Sequence, residues 1–220
     1  MRRLCIFDLD GTLVNSVEDL ADSTNEALKK FGCPVHEVDK YRYFVGNGTL
    51  KLIERALPEE LRTPEMISRV HGCFAQEYEK RLVNKTCAYE GIKDVLKNLK
   101  ARGFLLAVAS NKPDRFAKEV TLGIFGEGLF DRIFGKKDGV PVKPAPDIIF
   151  GLVDALGADL AGCIHCGDSA VDVNTAHNAG IPCIGCTWGF RERSELEEAG
   201  ADMIADRPED IYKYMTVSGC

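Results

Sequence analysis

Ile6-Phe7-Asp8-Leu9-Asp10-Gly11-Thr12-Leu13 is the stretch on which the reading of this chain turns. An apolar run that begins at Leu4 stops abruptly at two carboxylates separated by one residue. On an extended strand, side chains at i and i+2 share a face and lie roughly 6.5–7 Å apart, so Asp8 and Asp10 can flank one small reacting group such as a phosphoryl centre. Gly11 lets the chain turn sharply, and the Gly11-Thr12 amides are free to point at an anion. Asp-Gly is also ordinary turn punctuation, so taken alone the stretch is compatible with a plain strand-end turn.

Downstream, Val17, Leu20, Ala21, Thr24, Leu28 and Phe31 recur at helical spacing. Ser16-x-x-Asp19 resembles a capping box at the start of this helix, and Gly32 followed by Pro34 makes a stop. Further helices are expected over 49–57, before Pro58, and from Thr63-Pro64 towards residue 82. After that the rhythm changes. Strands expected at 104–109, 132–135, 162–166, 182–186 and 202–205 alternate with helices near 92–100, 116–121, 147–156, 172–178 and 194–199. The near-continuous apolar run Phe104-Leu105-Leu106-Ala107-Val108-Ala109 suits a strand buried on both faces. This alternation predicts an α/β fold, a Rossmann-like doubly wound parallel sheet, formed by residues 1–14 and 85–220. Residues 15–84 are then an all-helical cap domain inserted after the first strand. It is joined through short segments around 14–16 and 85–89 that could hinge.

The chain of 220 residues is long enough for such a core plus a smaller insert. Its 28 basic and 34 acidic residues give a net charge of −6, which offers no general attraction for nucleic acid or an anionic membrane. An anionic substrate therefore needs a local lysine or a bound cation. No apolar stretch approaches the length that spans a bilayer, and the N-terminus enters a strand-like run rather than a signal peptide, so a cytoplasmic protein is expected. Nine cysteines suit reduced thiols. The pairs Cys163-x2-Cys166 and Cys183-x2-Cys186 have the spacing of structural zinc. Each lies in a β-type run, however, where residues three apart point to opposite faces, which favours buried thiols.

In an open parallel sheet, ligands bind beyond the carboxyl ends of the strands. There the chain carries Asp8-Leu9-Asp10, Ser110-Asn111-Lys112, the loop Val142-Lys143-Pro144-Ala145-Pro146, and Gly167-Asp168-Ser169-Ala170-Val171-Asp172. Collected at one edge they supply carboxylates for a cation, a hydroxyl, amide donors and a lysine, a set suited to phosphoryl transfer. The cation expected is Mg²⁺, which takes oxygen ligands and is held by a few carboxylates. His165 and His177 read as a packed strand residue and a helix-surface residue rather than ligands. Trp188 reads as a core aromatic. The turn Gly46-Asn47-Gly48 suits either a plain inter-helix connection or a substrate contact by Asn47.

Asp8-Leu9-Asp10-Gly11-Thr12, Ser110-Asn111, Lys143-Pro144-Ala145-Pro146 and Gly167-Asp168-x3-Asp172, in that order, resemble the four motifs of the haloacid dehalogenase superfamily. Val45-Gly46-Asn47-Gly48 and Ser110-Asn111-Lys112-Pro113 look most like its phosphoglycolate phosphatase branch. The resemblance implies a phosphatase acting on a small phosphorylated metabolite, 2-phosphoglycolate being favoured, through an aspartyl-phosphate on Asp8. Asp10 is implied as the acid and base. Ser110, Asn111 and Lys143 are implied as phosphate-binding residues. Mg²⁺ is implied on the Asp8 carboxylate, the Asp10 main-chain carbonyl and Asp168, with Asp172 in support. Branch members usually have Asp where Asn15 stands and often Arg where Val142 stands, which touches substrate preference more than reaction class. A phosphosugar mutase, a carbon–halogen hydrolase and a non-catalytic phosphate-binding module are the alternatives. The protein is expected as a monomer or small homo-oligomer.

Overall fold

A strand buried on both faces needs apolar residues on both, and residues 4–7, Leu-Cys-Ile-Phe, provide them. The computed structural model describes residues 3–217. Its elements in chain order are β1 (Leu4–Phe7), β2 (Val14–Asn15), α1 (Val17–Lys30), α2 (Val38–Phe44), α3 (Thr49–Ala56), α4 (Pro64–Glu79), β3 (Cys87–Ala88), α5 (Ile92–Ala101) and β4 (Leu105–Pro113). They continue with α6 (Asp114–Phe125), β5 (Arg132–Lys136), α7 (Asp147–Leu156), β6 (Cys163–Gly167), α8 (Ala170–Ala179), β7 (Cys183–Cys186), α9 (Arg193–Glu198), β8 (Met203–Ala205) and α10 (Pro208–Val217).

Six strands form one sheet in the order β5-β4-β1-β6-β7-β8, and every neighbouring pair is parallel. β1 sits between β4 and β6, with Leu4 opposite Leu105 on one side and Cys163 on the other. The chain order reverses direction here, and the loops leaving three adjacent strands converge at such a switch point. Cys5 and Phe7 face a core shared with α5, α6, α10 and the inserted helices, while Leu4 and Ile6 face one shared with α7, α8 and α9. Alternation of side chains along a strand produces these two cores.

Between β2 and β3 the chain is helical, as expected, with α2 added where no helix had been assigned; α10 was likewise unassigned. Residues 14–15 pair antiparallel with 87–88 where the chain leaves the sheet region and returns. The expected capping box at Ser16 is overturned: Ser16 makes no side-chain cap, and Asn15 Oδ1 accepts the Val17 N–H at 3.4 Å instead. Asp19 turns to the returning segment, accepting from Lys85 N, Thr86 N and Thr86 Oγ1 at 2.7–2.9 Å. Both residues read as local helix signals, yet Asp19 is paired with a segment distant in sequence and Ser16 donates to Asp10 rather than to its own helix.

Cys163, Cys166, Cys183 and Cys186 are free, buried thiols on β6 and β7, and burial pushes all four up, disfavouring the thiolate a metal requires. Among the described residues no helix is long and apolar enough to cross a membrane.

Candidate active site

The carboxyl ends of β1, β4 and β6 build the site. Asp8 N–H donates to Cys166 O at 2.9 Å, extending the ladder one residue past β1 and fixing where its carboxylate emerges. Leu13 and Val14 N–H both donate to Leu9 O at 3.0 Å, folding residues 9–14 into a tight loop. Gly11 has φ +92°, and a Cβ there would collide with the Asp168 carboxyl. A Cβ on Gly189 would strike the Asp168 side chain and Gly11 O. Two glycines thus let backbone close around one carboxylate.

Lys143 is buried, with Nζ 3.0 Å from Asp8 Oδ1 and 2.7 Å from Asp172 Oδ1. Asn111 aims it, accepting the Lys143 N–H on Oδ1 at 2.9 Å and donating from Nδ2 to Lys143 O at 3.1 Å. The same Nδ2 donates to Gly46 O at 3.1 Å, so this side chain is occupied in joining strand end, lysine loop and cap. Any contact of Asn111 with phosphate therefore falls to its main chain. Asp172 also receives Ser169 Oγ at 2.6 Å and lies 3.2 Å from His165 Nε2. Burial opposes ionisation of Asp172, but Lys143 and His165 outweigh it and hold its carboxyl below the usual range.

Asp10 has a separate set of partners. Ser16 Oγ donates to Oδ1 at 2.5 Å, and Lys112 Nζ lies 2.9 Å from both carboxylate oxygens. The Lys112 ammonium is buried 4.8 Å from the ring centre of Tyr78 on α4. Burial works against its charge, yet Asp10 outweighs that and raises its pKa.

Asp8, Asp168 and Asp172 present ligand oxygens within 4.8 Å of one another, a cluster able to hold a metal ion. The donor set fits a hard divalent cation such as Mg²⁺. Burial, with the charges of Asp172 and Asp8, pushes Asp168 well above the carboxylate range. Burial likewise pushes Asp8 up to about 7 despite Lys143. A cation here relieves the repulsion among ionised carboxylates. Asp172 accepts from Lys143 Nζ and Ser169 Oγ, and Asp168 accepts from Thr12 Oγ1 at 3.3 Å and the Phe190 N–H at 2.7 Å.

A cavity of about 30 Å³ opens between core and cap. Asp8, Asp10, Ser110, Asn111 and Lys112 line it from the core, and Leu20, Val45, Gly46, Gly48, Thr49 and Leu52 from the cap. Asn47 is not among them: its Oδ1 accepts from Arg55 Nη2 at 2.7 Å, so its flanking glycines, not its side chain, face the cavity. The cap is tied shut by Arg191, which donates to the carbonyls of Arg42 and Val45, and by Arg42 Nη1 donating to Gly189 O at 3.2 Å. Trp188 packs partly on the main core and donates from Nε1 to Thr12 O at 3.0 Å, pinning the Asp8–Thr12 loop. His165 is packed on β6 as expected and also braces Asp172, while His177 lies on α8 beside Asp202. Val142 is exposed, and Asn15 Oδ1 accepts the Val17 N–H.

Lys112 and Ser16 are the participants that sequence reasoning did not assign. For Lys112 a signal existed, since it lies two residues beyond Ser110 on a strand that overran its expected end. For Ser16 the local helix-start reading masked the contact.

This arrangement belongs to a known class of enzyme. The profile of the haloacid dehalogenase-like hydrolases matches residues 5–186, and the chain is a member of that family. More particularly, it is similar to the phosphoglycolate phosphatases of Psychrobacter arcticus, 35% identical across 90% of this chain and 88% of the relative. A second, from Haemophilus influenzae strain 86-028NP, is 35% identical across 98% and 97%. A crystal structure from Lactobacillus delbrueckii subsp. bulgaricus, provisionally named a phosphoglycolate phosphatase, superposes with a TM-score of 0.91 at 31% identity, covering 98% and 99% of the two chains. The chain is a phosphomonoester hydrolase.

Proposed function

We propose that this enzyme hydrolyses a small phosphate monoester, 2-phosphoglycolate being the favoured substrate, through a phosphorylated Asp8. The observation that carries the reading is the different company of two carboxylates one residue apart. Asp8 lies beside Lys143 and the Asp168–Asp172 cluster, and Asp10 beside Ser16 and Lys112 at the cavity. Asp8 attacks phosphorus in line while the Asp10 carboxyl gives a proton to the departing alkoxide. Asp10, now a carboxylate, takes a proton from water as that water attacks the aspartyl-phosphate, releasing inorganic phosphate and restoring Asp8. Lys143, Ser110 and the Asn111 main chain hold phosphoryl oxygens, and Lys143 offsets repulsion between nucleophile and ester. Asp8, Asp168 and the Asp10 carbonyl, with Asp172 in support, would hold Mg²⁺, which would supply further charge neutralisation of the phosphoryl group.

Residues 15–84 act as a cap that excludes water around the leaving group. One water needs roughly 10–15 Å³ of such space, so a cavity of about 30 Å³ suits a leaving group of a few atoms. An intact nucleophile, acid, lysine and carboxylate cluster argue against a non-catalytic module. Phosphate release from a panel of small esters, with and without Mg²⁺, tests the reading. Mg²⁺-dependent turnover of 2-phosphoglycolate is expected, reduced roughly 10⁴-fold or more in Asp8→Asn. Full activity of that variant would sink the covalent route, and isomerised sugar phosphate without phosphate release would favour the mutase.

A further inference from the structure

Lys143 and the carboxylate cluster account for the phosphoryl end of a substrate, but nothing described so far accounts for the other end. Among the described residues lining the cavity, Lys112 is the sole cation. Its ammonium has three N–H donors, and it lies 2.9 Å from both oxygens of Asp10 and over the ring of Tyr78. Across the cavity stand Gly48 and Thr49, the start of α3, and the first-turn N–H groups of a helix have no intrahelical partner. Thr49 is held in place by His71, whose Nε2 lies 2.8 Å from Thr49 Oγ1. The cap side of the wall is otherwise apolar, from Leu20, Val45 and Leu52, and the core side adds Asp8, Asp10, Ser110 and Asn111 around the phosphoryl position. A neutral leaving group would gain little from a buried ammonium and a helix N-terminus facing each other across so small a space. An anion would be held from both sides.

We propose that Lys112 is a specificity-determining residue that binds a second anionic group on the substrate, a carboxylate carried by the leaving alcohol, while keeping its hold on Asp10. The inference rests on the hydrolase reading above and adds a residue to it. Lys112 thereby places the leaving oxygen beside the carboxyl that protonates it, because one ammonium touches both partners. The helix start on the cap side couples the same anion to cap closure, so a carboxylate-bearing ester favours the closed form.

The test compares kcat/KM for 2-phosphoglycolate with that for ethyl phosphate, which has the same two-carbon length and no carboxylate, in the native enzyme, Lys112→Met and Lys112→Arg, all with Mg²⁺. The native enzyme should prefer the carboxylate ester by roughly 100-fold or more, since a site built around a polar partner rejects the analogue that lacks it. Lys112→Met should lower activity on both esters through Asp10 but collapse the preference to below about tenfold, chiefly through KM for 2-phosphoglycolate, and Lys112→Arg should restore part of it. An equal loss on both esters, leaving the preference unchanged, would overturn the proposal and confine Lys112 to supporting Asp10. A native preference below tenfold would overturn it without any variant. Phosphate release from neither ester would instead overturn the hydrolase reading, and this inference with it.

Discussion

Asp8 and Asp10 are two residues apart in sequence but keep different company. The partners of Asp8 all come from strand ends of the parallel sheet: Lys143 before α7 and, through that lysine, Asp172 on α8, with His165 on β6 behind it. The partners of Asp10 come from the junction with the cap: Ser16 at the exit segment and Lys112 on the overrun of β4, packed against Tyr78 of α4. The first network touches the cap through Asn111, whose Nδ2 donates to Gly46 O. The second touches it through Tyr78 of α4, whose ring lies against the Lys112 ammonium.

The contrast can be broken most severely at Lys143. Lys143→Met should reduce turnover by roughly 10²–10³-fold and destabilise the fold by about 3–5 kcal/mol, because Asp8 and Asp172 are left buried with no counter-charge. Denaturant unfolding together with steady-state assays measures both, and a stable variant of near-native activity would refute the assignment. A smaller loss, roughly 10–100-fold and mainly in kcat, is expected for Ser16→Ala, which frees the Asp10 carboxylate to turn while leaving Asp8 untouched. An unchanged kcat would mean that Ser16 serves only the chain path.

The least dramatic effect concerns pH and metal. Asp8 is pushed up to about 7 by burial, whereas an unfolded Asp titrates near 4, so between these values the folded protein without metal holds a proton that the unfolded chain has lost. Stability from this source is present at low pH and is lost as pH rises through 7, and Asp168, also raised, acts with the same sign. The metal-free protein should melt a few degrees lower at pH 8 than at pH 5.5, and Mg²⁺ should recover more stability at the higher pH. Thermal scans in which Mg²⁺ stabilises equally at both values would contradict this origin.

The parallel sheet was legible because each strand carries its own signature, a short apolar run ended by polar residues, and the site motifs sit at those ends. Asp8, Asp168, Asp172 and Lys143 could be gathered from sequence, since the topology of such a sheet brings its carboxyl ends together whatever the loops do. Ser16 and Asp19 were misread for the opposite reason. Their local pattern fits a capping box, but a hydroxyl and a carboxylate bond to whatever donor or acceptor the fold places nearest, and here the partners are Asp10 and the segment at Lys85-Thr86. Asn47 gives the same lesson, since Arg55 on the next helix claims its side chain. By itself, the sequence determined the α/β scaffold, the helical insertion and the carboxylates and lysine of phosphoryl chemistry, because these follow from periodicity and strand-end position. Only the tertiary structure decided that each carboxylate of the opening pair has its own lysine and that Lys112 faces a cavity closed by α3. Those facts depend on how the sheet and the inserted helices meet, and no spacing along the chain encodes that distance.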